Sequence, residues 1–231
     1  MGKHIAELSQ FEIVCVCDDS SSMKRTVDNT VRTRWDELCS IIKIIVAISI
    51  IFDANGVDIY FLNRKPKLCV TNPDVVNEIF KKPPKGYTPL VPVLTEIFQS
   101  SLARRGNDKK LLVFVATDGE PTDKDKKPNV LELEYVMRKV RQSDTTYVSF
   151  LACTDDSAVV KYLTDWDKSM THVDVTDDYP TERDKIRQCQ KDNNYPFSFG
   201  DYIVKALVGA IVPKIDLLNE KKNNNCPSLN D

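Results

Sequence analysis

Short apolar runs alternate along this chain with longer segments of helical period, the pattern of a mostly parallel sheet covered by helices on both faces. Phe11–Cys17 (FEIVCVC) is short, rich in β-branched residues and cysteine, and stops abruptly at DDSSS, which predicts a strand. Arg34–Phe52 reads as a long helix, and Asn55-Gly56 behind it is a natural stop. Val57–Leu62 is predicted as the second strand, with Lys67–Val70 as a short companion. Pro73–Phe80 is predicted as a short helix capped by Asn72. Pro89–Leu102 repeats apolar residues at Leu90, Val93, Leu94, Ile97 and Phe98, a helical spacing that starts on a proline. Leu111–Ala116 (LLVFVA) is a fully buried strand, Asn129–Val140 an amphipathic helix and Thr146–Ala152 another strand. Asp155–Asp167 is expected to be a helix opened by two aspartates, Thr171–Val175 an edge-like strand and Asp201–Leu218 a closing helix. Thr176–Ser198 is polar and reads as a loop with one helical turn.

These elements predict an α/β fold: a doubly wound, mostly parallel central sheet with helices on both faces. Residues 1–10 are expected to form an N-terminal extension, 11–218 the domain, and 219–231 a loose Asn-rich tail. A length of 231 residues fits one large α/β domain, and 42% hydrophobic residues suffice for its core. The net charge of -2, from 32 basic and 34 acidic residues, leaves no electrostatic footprint for nucleic acid. The most apolar stretch, Ile41–Phe52, contains Lys43 and is too short to span a bilayer. The N-terminal MGKHIAELSQ lacks a signal-peptide core, and Ala6 breaks the myristoylation pattern that Gly2 invites. The seven cysteines are dispersed, without zinc-ligand spacing, and the chain has no Asn-x-Ser/Thr sequon. Together these features lead to the expectation of a soluble, monomeric, cytoplasmic protein with free thiols.

Three segments stand out. Asp18-Asp19-Ser20-Ser21-Ser22-Met23 follows the first strand, Gly86-Tyr87-Thr88-Pro89-Leu90 precedes a helix, and Thr117-Asp118-Gly119-Glu120 follows the LLVFVA strand. Each lies at the carboxyl end of a strand or at the entry to a helix, where open parallel sheets form ligand sites. In these segments the sequence resembles the von Willebrand factor A family, also called the integrin I-domain family. The family's metal-ion-dependent adhesion site is Asp-x-Ser-x-Ser after the first strand, a threonine in a later loop, and an aspartate after the fourth strand. Asp18, Ser20 and Ser22 match the first part, Thr88 in GYTPL the second and Asp118 the third. The resemblance spans roughly Phe11 to Leu218, with Ser21 where the family usually has glycine.

The resemblance implies a Rossmann-like fold and a divalent cation, Mg²⁺ or else Mn²⁺ or Ca²⁺, held by Asp18, Ser20, Ser22, Thr88 and Asp118. The chemistry agrees, since two carboxylates and three hydroxyls form an all-oxygen set for a hard ion. Two aspartates at most neutralise the ion, so an Asp or Glu carboxylate of a partner protein is its natural last ligand. The expected function is therefore a metal-dependent protein-binding module rather than an enzyme. Asp19, Tyr87 and Glu120 border the ion, and Lys81, Lys82 and Lys85 could form a positive rim. The competing reading is a phosphohydrolase of the haloacid dehalogenase type with Asp18 as nucleophile. That chemistry wants a second aspartate two residues on, and position 20 is serine.

Overall fold

In the computed structural model, which describes residues 2–27, 30–100, 109–156, 158 and 160–219, the apolar runs satisfy their backbone groups by pairing into one sheet. Its strands are β1 (Phe11–Cys17), β2 (Val57–Phe61), β3 (Lys67–Val70), β4 (Lys110–Thr117), β5 (Thr146–Ala152) and β6 (Val173–Thr176). Their order is β3-β2-β1-β4-β5-β6. All neighbours are parallel except β3, which returns antiparallel along β2 as an edge. The fold is thus a doubly wound α/β sheet. The chain winds outward from β1 to one edge and then crosses to β4, so the switch point lies between β1 and β4. A ligand crevice opens at the carboxyl ends of such a pair.

The eight helices described are α1 (Arg34–Phe52), α2 (Pro73–Phe80), α3 (Leu90–Gln99), α4 (Val130–Tyr135), α5 (Lys161–Ser169), α6 (Tyr179–Gln190), α7 (Phe199–Val208) and α8 (Pro213–Asp216). The sheet divides the core in two. On β1, Ile13, Cys15 and Cys17 face a layer built on α1, α2 and α7, while Val14 and Val16 face one built on α3, α4 and α5. This alternation follows from the pleat, which sends successive side chains to opposite faces. Residues 2–10 form a 3₁₀ helix whose Leu8 is fully buried in the α1 layer. Among the described residues no helix is long and apolar enough to cross a membrane.

Several boundaries differ from the sequence expectation for local reasons. α1 begins where expected because Thr33 and Asp36 exchange capping hydrogen bonds. The expected helix opened by Asp155 and Asp156 begins only at Lys161; Asp156 instead accepts the Ala158 N–H in a turn. Asn129–Val140 is helical from Val130 but loosens into a π turn over Val136–Val140. The closing segment starts at Phe199, behind a Ser198–Asp201 capping box, and stops at Val208. Pro213 then opens the short α8. Thr176–Ser198, expected to be mostly loop, contains the twelve-residue α6. Of the helix expected over Pro89–Leu102, the last two residues lie outside the described ones, as does the tail from residue 220.

α6 is held to the fold partly by charge. Lys205 of α7 is fully buried, with Nζ 3.5 Å from Asp174 Oδ1 and 3.4 Å from Glu182 Oε1, both also buried. Burial alone would lower the Lys205 pKa, but the Asp174 and Glu182 charges outweigh it and the net shift is upward.

Candidate metal centre

Asp18 continues the β1 ladder by one bond, its N–H donating to the Ala116 carbonyl at 2.9 Å. There the chain turns. The Ser20 N–H donates back to Asp18 Oδ1 at 2.8 Å, closing an Asx turn that leads into a 3₁₀ turn over Ser21–Lys24. Met23, fully buried, pins that turn to the core. Asp118 leaves the end of β4 beside it. The hydroxyls of Ser20 and Ser22 lie 2.9 Å apart, and Ser22 donates to Asp118 Oδ1 at 2.7 Å. Asp18 Oδ2 accepts a 2.7 Å bond from Thr117 Oγ1. Four of the five expected residues, from segments 96 residues apart, therefore form one connected oxygen cluster at the switch point.

The fifth, Thr88, reaches the same place through its loop. Gly86 has φ +128°, and a Cβ there would lie 2.2 Å from Asn63 Oδ1, so glycine is required for this approach. The Ser21 N–H donates to the Gly86 carbonyl and the Gly86 N–H to Ser21 Oγ, each at 3.2 Å. Thr88 is buried and exchanges backbone-centred hydrogen bonds with Thr122 on the Asp118 side. Its own hydroxyl makes no hydrogen bond to the other four residues.

The electrostatics single out Asp18. Its side chain is fully buried, and among the described residues no cation pairs with it. Burial, and then the neighbouring Asp118 charge, push its carboxyl up to about 7, against the hydrogen bonds from Ser20 and Thr117 that lower it. A divalent ion would supply the missing counter-charge, and the all-oxygen donor set suits Mg²⁺ or Mn²⁺.

Two arginines that the sequence reading did not single out complete the centre. Arg34, the first residue of α1, places Nη1 2.8 Å from Asp118 Oδ2. Arg64 places Nε 2.6 Å from Asp19 Oδ2, under cation–π contacts with Trp35 and Phe61. The main-chain and side-chain N–H groups of Asn63 also hold Asp19, which is 1% exposed. Asp19 therefore supports the loop from inside and does not present itself to a partner. Tyr162, from the far layer, donates to the Gly119 carbonyl at 3.3 Å and steadies the Asp118 loop. Tyr87 and Glu120 are exposed, as are Lys81, Lys82 and Lys85. Lys126 lies over the Tyr87 ring.

A second acidic group, Asp167, Asp174 and Asp216, brings carboxylate oxygens within 4.8 Å of one another. Lys205 already supplies a cation to Asp174. Burial and the Asp174 charge hold the Asp216 carboxyl up to about 8, so at neutral pH this group keeps a proton.

No known family model matches the sequence, and no curated protein matches it. Among solved structures, the chain is similar to proximal thread matrix protein 1 of the mussel byssus, at 17% identity and a TM-score of 0.46, over 72% of this chain and 43% of that one. It is also similar to manganese-loaded TRAP protein of Plasmodium vivax, at 12% identity and 0.49, over 76% and 71%. A third is the pilus adhesin SpaC of Lactobacillus rhamnosus GG in its open conformation, at 14% and 0.47, over 85% and 30%. The chain thus spans less than half the length of the mussel and bacterial chains.

Proposed function

We propose that this chain is a von Willebrand factor A-type binding module whose oxygen cluster holds one divalent cation, Mg²⁺ or else Mn²⁺ or Ca²⁺. Asp18, Ser20, Ser22, Thr88 and Asp118 are its ligands, directly or through water. The ion takes an Asp or Glu carboxylate of a partner protein as its last ligand. The observation that carries this reading is the convergence of Asp18, Ser20, Ser22 and Asp118 at the switch point, with Asp18 buried and without a cation among the described residues. A hard cation answers that arrangement, and its residual positive charge answers an external carboxylate.

On this reading the chain acts in the cytoplasm as a monomer, by binding rather than catalysis, and takes neither nucleic acid nor a membrane as its partner. A phosphohydrolase would need a proton donor at position 20. Ser20 instead shares its hydroxyl with Ser22. The test is affinity capture with wild type and Asp18→Ala, each in Mg²⁺ and in EDTA, beside phosphatase and esterase assays. A partner retained by wild type in Mg²⁺ alone supports the reading. Partners retained equally in EDTA, or turnover in the assays, contradict it.

A further inference from the structure

Asp118 divides its two oxygens. Oδ1 accepts from Ser22 and so belongs to the oxygen cluster, while Oδ2 lies 2.8 Å from Arg34 Nη1. The Asp118 side chain is fully buried and that of Arg34 is one-tenth exposed, so water screens the pair little. The guanidinium is fixed from its other side as well. Nη2 donates to Thr154 Oγ1 at 2.9 Å and lies 3.6 Å from Asp155 Oδ1. Arginine stays charged at any pH a folded protein withstands. This positive charge is therefore a permanent part of the centre.

Asp19 and Arg64 cancel one another within their own ion pair. What remains at the cluster is Asp18 and Asp118 against Arg34, one net negative charge once an ion has both carboxylates ionised, while Asp155 meets the guanidinium from its solvent side with its side chain more than half exposed. A divalent ion would then leave the centre net positive. Without Arg34 the same ion would be neutralised by protein alone.

We infer that Arg34 sets the charge of the metal centre: it occupies Oδ2 of Asp118, leaves Oδ1 facing the cluster, loosens the hold on a divalent cation and reserves positive charge for an outside carboxylate. This rests on the metal-binding reading above. The ordinary alternative is a tie that joins α1 to β4 and to the loop after β5. The two differ in sign. A tie that is cut should leave ion binding unchanged or weaker, whereas removing a competing charge should tighten it.

The experiment titrates Mn²⁺ alone into the full chain and follows free Mn²⁺ by electron paramagnetic resonance. Acetate is then added to the loaded protein as a carboxylate probe, read by water-proton relaxation. Arg34→Gln keeps a hydrogen-bond donor beside Asp118 and loses the charge, and α1 remains capped by Thr33 and Asp36. It should bind Mn²⁺ about tenfold more tightly and acetate several-fold more weakly. Arg34→Lys, which keeps the charge, should stay within about twofold of wild type for Mn²⁺. Arg34→Met loses the charge while keeping a long side chain in the same space and should also tighten Mn²⁺, so the test survives if Arg34→Gln does not fold. Unchanged or weaker Mn²⁺ binding in the folded charge-altering variants, with wild type binding normally, overturns the role given to Arg34 and leaves the metal site standing. No Mn²⁺ binding by wild type or any variant overturns the metal reading and this inference with it.

Discussion

Buried Asp19 and partly buried Arg64 form an ion pair 2.6 Å long, immediately beside the aspartate that opens the candidate site. Two adjacent carboxylates thus receive opposite treatments. Asp19 has a guanidinium and two N–H groups from Asn63, while Asp18 has hydrogen bonds and, among the described residues, no cation. The contrast identifies which of the two is built to meet an ion. It also makes Arg64 a structural support whose loss leaves a charge buried.

Arg64→Ala should therefore destabilise the fold by about 3 kcal/mol, since removing the guanidinium strands the buried Asp19 carboxylate. The Asn63 hydrogen bonds keep the loss from being larger. Urea denaturation followed by circular dichroism measures it. A loss under about 1 kcal/mol would show that water reaches Asp19.

Gly86→Ala tests how the threonine loop is seated. The new Cβ would meet the Asn63 amide, and the backbone is at positive φ, so the loop must move. The expected cost is about 1–3 kcal/mol of stability. A fall in Mn²⁺ affinity should accompany it, because Thr88 moves with the loop. Full affinity in a destabilised Gly86→Ala protein would remove Thr88 from the ion's ligands.

The Asp174–Asp216 contact predicts a pH dependence. Burial, and then Asp174, raise the Asp216 carboxyl to about 8, above its unfolded value. The folded state therefore binds the extra proton, and the stability this contributes is complete below about pH 4. It is lost as pH rises through the folded value. The urea midpoint should fall progressively from about pH 4 to about pH 8 and level off above that, and Asp216→Asn should flatten the fall. An identical drop in the variant would assign the dependence to other groups.

Much of the fold and the candidate site was legible in the sequence. β1, β4 and β5 are buried on both faces, so their apolar runs announce strands without alternation. Asp18, Ser20, Ser22 and Asp118 were legible because the turn that follows a parallel strand projects small oxygen donors to one point. α6 was not, since it buries only Ile186 and Glu182 and leaves no apolar stripe. Its one legible signal was Asp178 ahead of Pro180, a cap followed by an early proline. Arg34 and Arg64 were hidden because their partners lie 84 and 45 residues away, and no local spacing records such pairs. The excess of carboxylates around position 18 was the available hint that cations must arrive from elsewhere. The closing helix was read too long because the break that Pro213 imposes locally was overlooked, while the close approach of Gly209 to Asp174 is tertiary and left no local signal.

The most direct test of the central claim is isothermal calorimetry of Mn²⁺ binding to wild type and to Asp118→Ala. Asp118 brings a carboxylate to the cluster from the end of β4, and truncating it removes one of the proposed oxygen ligands while the strand ends remain paired. The account predicts one Mn²⁺ per wild-type chain and loss of that binding in the folded variant, with Mg²⁺ competing for the wild-type site. Equal stoichiometry and affinity in the two proteins, or no binding to wild type, would contradict it.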